Sequence, residues 1–174
     1  MAETGDTLSF PDGSDYTITA STLETDGKFF EMELTLPPGV IAPPPHVHPV
    51  QEEDYEVLAG TLDVLLDGSW RSLSAGESMR VPAGSPHTFG NSSGGTVRVR
   101  NTHRPALQFQ YYFEKLHELV TSGKVTSFKN FSSLIYMSLL WEQHEREIVA
   151  ARAPQRAVMS VLARAGRRLG YRLP

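Results

Sequence analysis

The stretch Pro43-Pro44-Pro45-His46-Val47-His48-Pro49 leaves the chain little conformational choice. Each proline fixes its own φ and pushes the residue before it toward extended backbone, so no helix runs through this segment. In an extended chain side chains alternate with period two, which puts His46 and His48 on one face. Glu53 reaches the same place only if the chain shifts after His48, and Pro49 with the polar pair Gln51-Glu52 supplies such a break. A further histidine, His87, follows the turn Pro82-Ala83-Gly84-Ser85-Pro86, which can aim it from a separate strand. Three histidines and a carboxylate form a nitrogen- and oxygen-rich ligand set that suits iron, manganese, zinc, nickel and copper alike.

Composition narrows the chemistry. The chain has no cysteine. That excludes disulfides, thiolate catalysis and cysteine-based zinc or iron–sulfur sites, and leaves histidine and carboxylate as the strong metal ligands. A length of 174 residues supports one substantial core and is short for two full-sized domains. The first residues lack the basic flank and apolar stretch of a signal peptide, and no apolar run approaches ~18 residues, so the expected location is cytoplasmic with no membrane span. The net charge of −4 hides an asymmetry: residues 1–100 carry fifteen acids and five bases, residues 101–174 five acids and eleven bases. The acidic part argues against nucleic acid as a partner.

Residues up to about 104 read as short strands between turns. Phe30, Met32, Leu34 and Leu36 alternate clearly, and Tyr16–Thr19, Tyr55–Leu58, Thr61–Leu66, Ser69–Leu73, Ser78–Val81, His87–Phe89 and Thr96–Asn101 follow the same rhythm. Asp67-Gly68 is a hairpin signal. Many short strands at this spacing predict an antiparallel sandwich or barrel. Helical periodicity begins near Leu107. One helix is expected to stop at Gly123. A second starts at Ser132 or Ser133 and carries its stripe through His144 and Ile148, and a third runs from about Pro154 to a stop at Gly170. The expected division is residues 1–106 as the strand domain and residues 107–174 as a helical extension packed on it or on a partner subunit.

The two histidine stretches resemble the two motifs of the cupins, a superfamily of small β-barrels. His46-Val47-His48, four residues, Glu53, six residues and Gly60 follow the first motif, with Gly39 one residue farther upstream than the commonest spacing. Gly76, Pro82, Gly84, His87 and Asn91 follow the second throughout. The resemblance covers about residues 29–104. It implies an all-β double-stranded β-helix, or jelly-roll barrel, with an appended C-terminal helical segment. It also implies that His46, His48, Glu53 and His87 hold one divalent metal inside the barrel, with Glu53 preferred to Glu52 by its spacing to Gly60. The layout is similar to bacterial single-domain cupins compared with quercetinase-type dioxygenases. The leading expectation is therefore a metal-dependent oxygenase-like enzyme acting on a small aromatic or enol-bearing molecule. A non-redox isomerase or cyclase using the ion as a Lewis acid, and a binding or sensing module without turnover, stand beside it.

Glu53 is the expected dual-role ligand and base, and Tyr55 the expected hydroxyl beside it. His103 is a further option for proton transfer, while His117 is expected at the surface and His144 in a core or interface. Met32 and Met79 are candidate wall residues. The aromatic group Phe89, Phe109, Tyr111, Tyr112 and Phe113 packs the tail or roofs the cavity, and Arg80 or Arg100 is a candidate for an anionic substrate. The seven arginines from Arg146 onward are expected to pack on the acidic strand domain rather than on membrane or nucleic acid. Exposed sheet edges predict a homodimer.

Overall fold

The alternation read in the sequence becomes burial. Phe30, Met32, Leu34 and Leu36 are all buried, and they share one core with Tyr55, Val57, Leu62, Val64, Val97 and Val99 from other strands. The computed structural model describes residues 1–40 and 44–174, so Pro43, part of the expected proline stiffening, lies outside the described residues.

Eleven strands are described: β1 (Thr7–Ser9), β2 (Asp15–Ala20), β3 (Phe30–Leu36), β4 (His46–Val47), β5 (Glu52–Ala59), β6 (Thr61–Leu66), β7 (Ser69–Ser74), β8 (Ser78–Val81), β9 (His87–Gly90), β10 (Val97–Arg104) and β11 (Val149–Ala150). Three helices follow the main run of strands: α1 (Phe109–Thr121), α2 (Phe131–Gln143) and α3 (Ala153–Arg168). The strands form two antiparallel sheets, one ordered β1-β2-β3-β10-β5-β8 and the other β11-β4-β9-β6-β7.

Local chemistry explains the sharp corners. The β6–β7 hairpin turns on Asp67 and Gly68, both at positive φ (49° and 85°), as a two-residue hairpin with matched twist requires. Gly60 joins β5 to β6 at φ 80°, and a Cβ there would lie 2.9 Å from the carbonyl oxygen of Thr96. No other residue type fits that approach without displacing β10.

The expectation of an all-β jelly-roll barrel is corrected on two counts. Neither sheet closes: the first ends at β1 and β8, the second at β11 and β7, so the strands make two open layers on a shared core. The three helices make the fold mixed α/β. The reason lies at the ligand-bearing end, where β4 is two residues long and meets β9 only through the pair His46↔His87. A ladder that short does not carry hydrogen bonding around a barrel.

The second helix is also corrected. It stops at Gln143, where the His144 ring donates from Nδ1 to the Leu140 carbonyl (2.9 Å). Beyond it Val149 and Ala150 pair with Val47 and His46 as β11. The apolar residues past His144 therefore serve a strand, and the tail enters the second sheet.

The outer face of the first sheet is a band of ion pairs: Arg98–Glu33 (2.7 Å), Arg100–Glu56 (2.6 Å) and Arg80–Asp54 (2.8 Å). Arg80 and Arg100 point away from the core and are committed there, which removes them as anchors for a buried anion. The expected pairing of tail arginines with the acidic strands is not found among the described residues. Arg167 instead binds Glu142 of α2, and α3 packs on α2 through Ala163 and Gly166 against Ile135 and Leu139. Glu31, Glu33, Asp54 and Glu56 already have arginine partners within their own sheet.

Candidate metal centre

Three strands bring the site together. Strand β4 carries His46, with His48 just past its end; β5 carries Glu53; β9 carries His87, directly opposite His46. All four side chains are buried, and their ligand atoms lie within 4.8 Å of one another. The imidazole rings of His46 and His87 are 4.3 Å apart at their centroids, and each is 5.0 Å from that of His48.

Each histidine is oriented by a backbone carbonyl at Nδ1. His46 faces Pro44 O (3.2 Å), His87 faces Ser85 O (2.9 Å) and His48 faces Glu147 O (2.5 Å). A carbonyl only accepts, so Nδ1 carries the hydrogen in all three rings and Nε2 keeps its lone pair. The Nε2 atoms of His48 and His87 and the Oε2 of Glu53 are buried without a hydrogen-bond partner. Unsatisfied buried polar atoms are costly, and a divalent cation among them satisfies all at once. The donor set fits a metal, with carbonyl partners of the kind that hold metal-binding histidines in register.

The electrostatics agree. Burial raises the Glu53 carboxyl, but the neighbouring imidazoles, His103 and His87 first and then His48, outweigh it and hold it well below its ordinary range. For His87 burial works downward, yet the Glu53 carboxylate 2.7 Å away leaves the imidazole raised. His46 is pushed well down, by burial first and then by His87 and His48.

Glu53 is held from behind. Asn101, on β10, donates from Nδ2 to Glu53 Oε1 (2.8 Å), and its own Oδ1 accepts from His103 Nε2 (2.8 Å). This leaves Oε2 for the ligand cluster. Asn101 went unremarked in the sequence, although a signal was present: Asn101 and His103 continue the inward alternation that begins with Val97 and Val99. Glu147 was missed as well, because it contributes a backbone carbonyl that no residue type announces.

The site opens on a cavity of about 500 Å³. His46, His48, Glu53, Asn101 and His103 line one end, and Phe89, Phe109, Tyr112 and Phe113 form part of its wall. The Phe109 ring lies 4.2 Å from that of His103 and 5.1 Å from that of His48. Tyr111 is off that wall. Tyr55 is buried two residues beyond Glu53 and does not reach the cavity, and burial followed by the Glu53 charge pushes its hydroxyl well above its usual value. Met32 and Met79 belong to the core behind, and Glu52 is exposed.

Two open antiparallel sheets bury between them a three-histidine, one-glutamate cluster that could hold a metal ion. Residues 32–103 match the family model of the cupin domain, Cupin_2, and in that stretch the chain is similar to the cupins. Among solved structures the chain is similar to KdgF from a Halomonas species, with 21% identity and a TM-score of 0.53 over 60% of this chain and 92% of that one. It is also similar to a predicted oxalate decarboxylase from Thermotoga maritima, with 19% identity and a TM-score of 0.52 over 57% and 90%. At that identity both likenesses speak to fold alone. A search of curated protein sequences returned no match. The dioxygenase expectation is corrected here in one respect: neither of these structures is described as an oxygenase or other oxidoreductase, and one is described as a predicted oxalate decarboxylase. No helix among the described residues is long and apolar enough to cross a membrane.

Proposed function

We propose that the chain is a metal-dependent, non-redox enzyme, an isomerase or cyclase, in which His46, His48, Glu53 and His87 hold a divalent ion that acts as a Lewis acid on a small molecule. One observation carries this reading: four buried ligand atoms, unpartnered at His48, His87 and Glu53, converge beside a cavity large enough for a substrate. The ion, when bound, polarises a substrate oxygen and favours negative charge on it.

The remaining work falls to the chain. Asn101 keeps the Glu53 carboxylate in place, and Phe109 shields the His48 and His103 rings from water. His103 supplies a proton acceptor on the cavity wall. Its Nε2–H is committed to Asn101, its Nδ1 has no partner, and burial pushes the ring down to about 3, so it is neutral at physiological pH. It takes a proton from the carbon next to the polarised oxygen only transiently, and then returns it.

The test is exchange of the α-hydrogen of simple enolisable keto acids in D2O, without oxygen, followed by NMR. Exchange is expected with the metal-loaded protein, falling about 100-fold in His103→Ala while the metal stays bound. Glu53→Gln is expected to lose the metal and Glu52→Gln to keep it, by elemental analysis. Tight retention of the ligands with no exchange, or turnover only in oxygen, overturns the reading.

We also infer a homodimer. Strand β7 is a sheet edge, and its Trp70 is 58% exposed, so a second copy can complete both. A monomer mass by light scattering at micromolar concentration would refute this.

A further inference from the structure

The cavity beyond the metal ligands has a chemical character of its own. Its wall is built by all three helices: Phe109 and Phe113 from α1, Met137 and Trp141 from α2, Met159 and Leu162 from α3. Polar groups gather at the ligand end and recur only in a few places elsewhere on the wall. Among the described residues lining it, Lys129 is the one lysine or arginine, and no arginine is present. A phosphorylated or multiply carboxylated substrate would find no partners there, since such groups are bound by arginine forks and clustered cations. An ion of charge +2 held with one carboxylate leaves a single positive charge, which one anionic head neutralises.

We propose that the substrate is amphipathic, with one oxygen-bearing chelating head at the metal and an apolar body that runs between α1 and α2 toward α3. This rests on the metal-dependent reading above and names the class of molecule it serves. Helix α3 is the specificity element. One side docks on α2 through Ala163 and Gly166, while Val158, Met159 and Leu162 line the cavity. Val158 is 57% exposed, which places it at the mouth, where the tail of a long ligand would emerge. The helical segment thus gives the cavity its apolar half.

The experiment measures binding of straight-chain hydroxamates, from acetohydroxamate to decanohydroxamate, to the zinc-loaded full chain by calorimetry. Affinity is expected to rise roughly fourfold per added methylene until the cavity is filled. Val158→Asp, at a position exposed enough to spare the fold, is expected to weaken decanohydroxamate at least tenfold and leave acetohydroxamate unchanged. Affinity independent of chain length overturns the proposal, as does tighter binding of citrate or glucose 6-phosphate than of octanohydroxamate. If zinc and acetohydroxamate bind but chain length has no effect, this inference alone fails. If the protein retains no zinc, the metal-dependent reading fails with it.

Discussion

His48 donates from Nδ1 to the backbone carbonyl of Glu147, across 99 residues of chain. A ligand delivered by the proline-rich stretch is therefore oriented by the loop between α2 and α3. Next to it, Ala151 N donates to Pro45 O (3.0 Å), and β11 lies against β4. The part of the chain that reads as an appendage supplies a support of the metal site.

Breaking that support should loosen the site without touching a ligand. Ala151→Pro removes the donor to Pro45 and disturbs β11. Metal affinity is expected to fall about 10-fold, in the range seen when partners behind a ligand are lost. Competition with a chromogenic chelator measures it, and unchanged affinity would show that the loop is passive.

Asn101→Ala removes the amide that bonds both Glu53 Oε1 and His103 Nε2 and leaves these buried atoms with only a 3.5 Å approach to each other. The metal-free protein should lose about 1–3 kcal/mol of stability, the cost of orphaned buried polar groups. Chemical denaturation provides the number, and a loss below about 0.5 kcal/mol would mean water replaces the amide.

Gly166 sits where a Cβ would lie 2.4 Å from Cγ2 of the buried Ile135. Glycine to alanine normally favours a helix by about 1 kcal/mol, but overpacking costs about 1–3 kcal/mol, so the second effect should win. Gly166→Ala is expected to lower the melting temperature, and combining it with Ile135→Ala to cost less than the sum of the two single losses. A melting temperature that rises in the single variant would contradict the packing.

The α2–α3 junction should weaken in acid. Glu142 is held below its ordinary value, chiefly by the hydrogen bond from Arg167. A carboxyl lowered on folding contributes stability above its unfolded value, and that contribution disappears as pH falls through the folded one. Both groups are partly exposed, so the effect is small and screened by salt. Protection of α3 amides, measured relative to their intrinsic exchange at each pH, should fall below about pH 4.5 in wild type, with a weaker change in Glu142→Gln.

What the sequence determined by itself was local. Period-two burial in β3, the Asp67-Gly68 hairpin and the spacing of His46, His48, Glu53 and His87 depend on neighbouring residues, and all can be read along the chain. The failure of either sheet to close, the entry of Val149–Ala150 beside His46, the grip of Asn101 on Glu53 and the helical wall of the cavity were decided by tertiary structure. Each depends on which distant segments meet. A backbone carbonyl such as that of Glu147 belongs to every residue type, so nothing in the sequence distinguishes the one that orients His48 until the fold brings the two together.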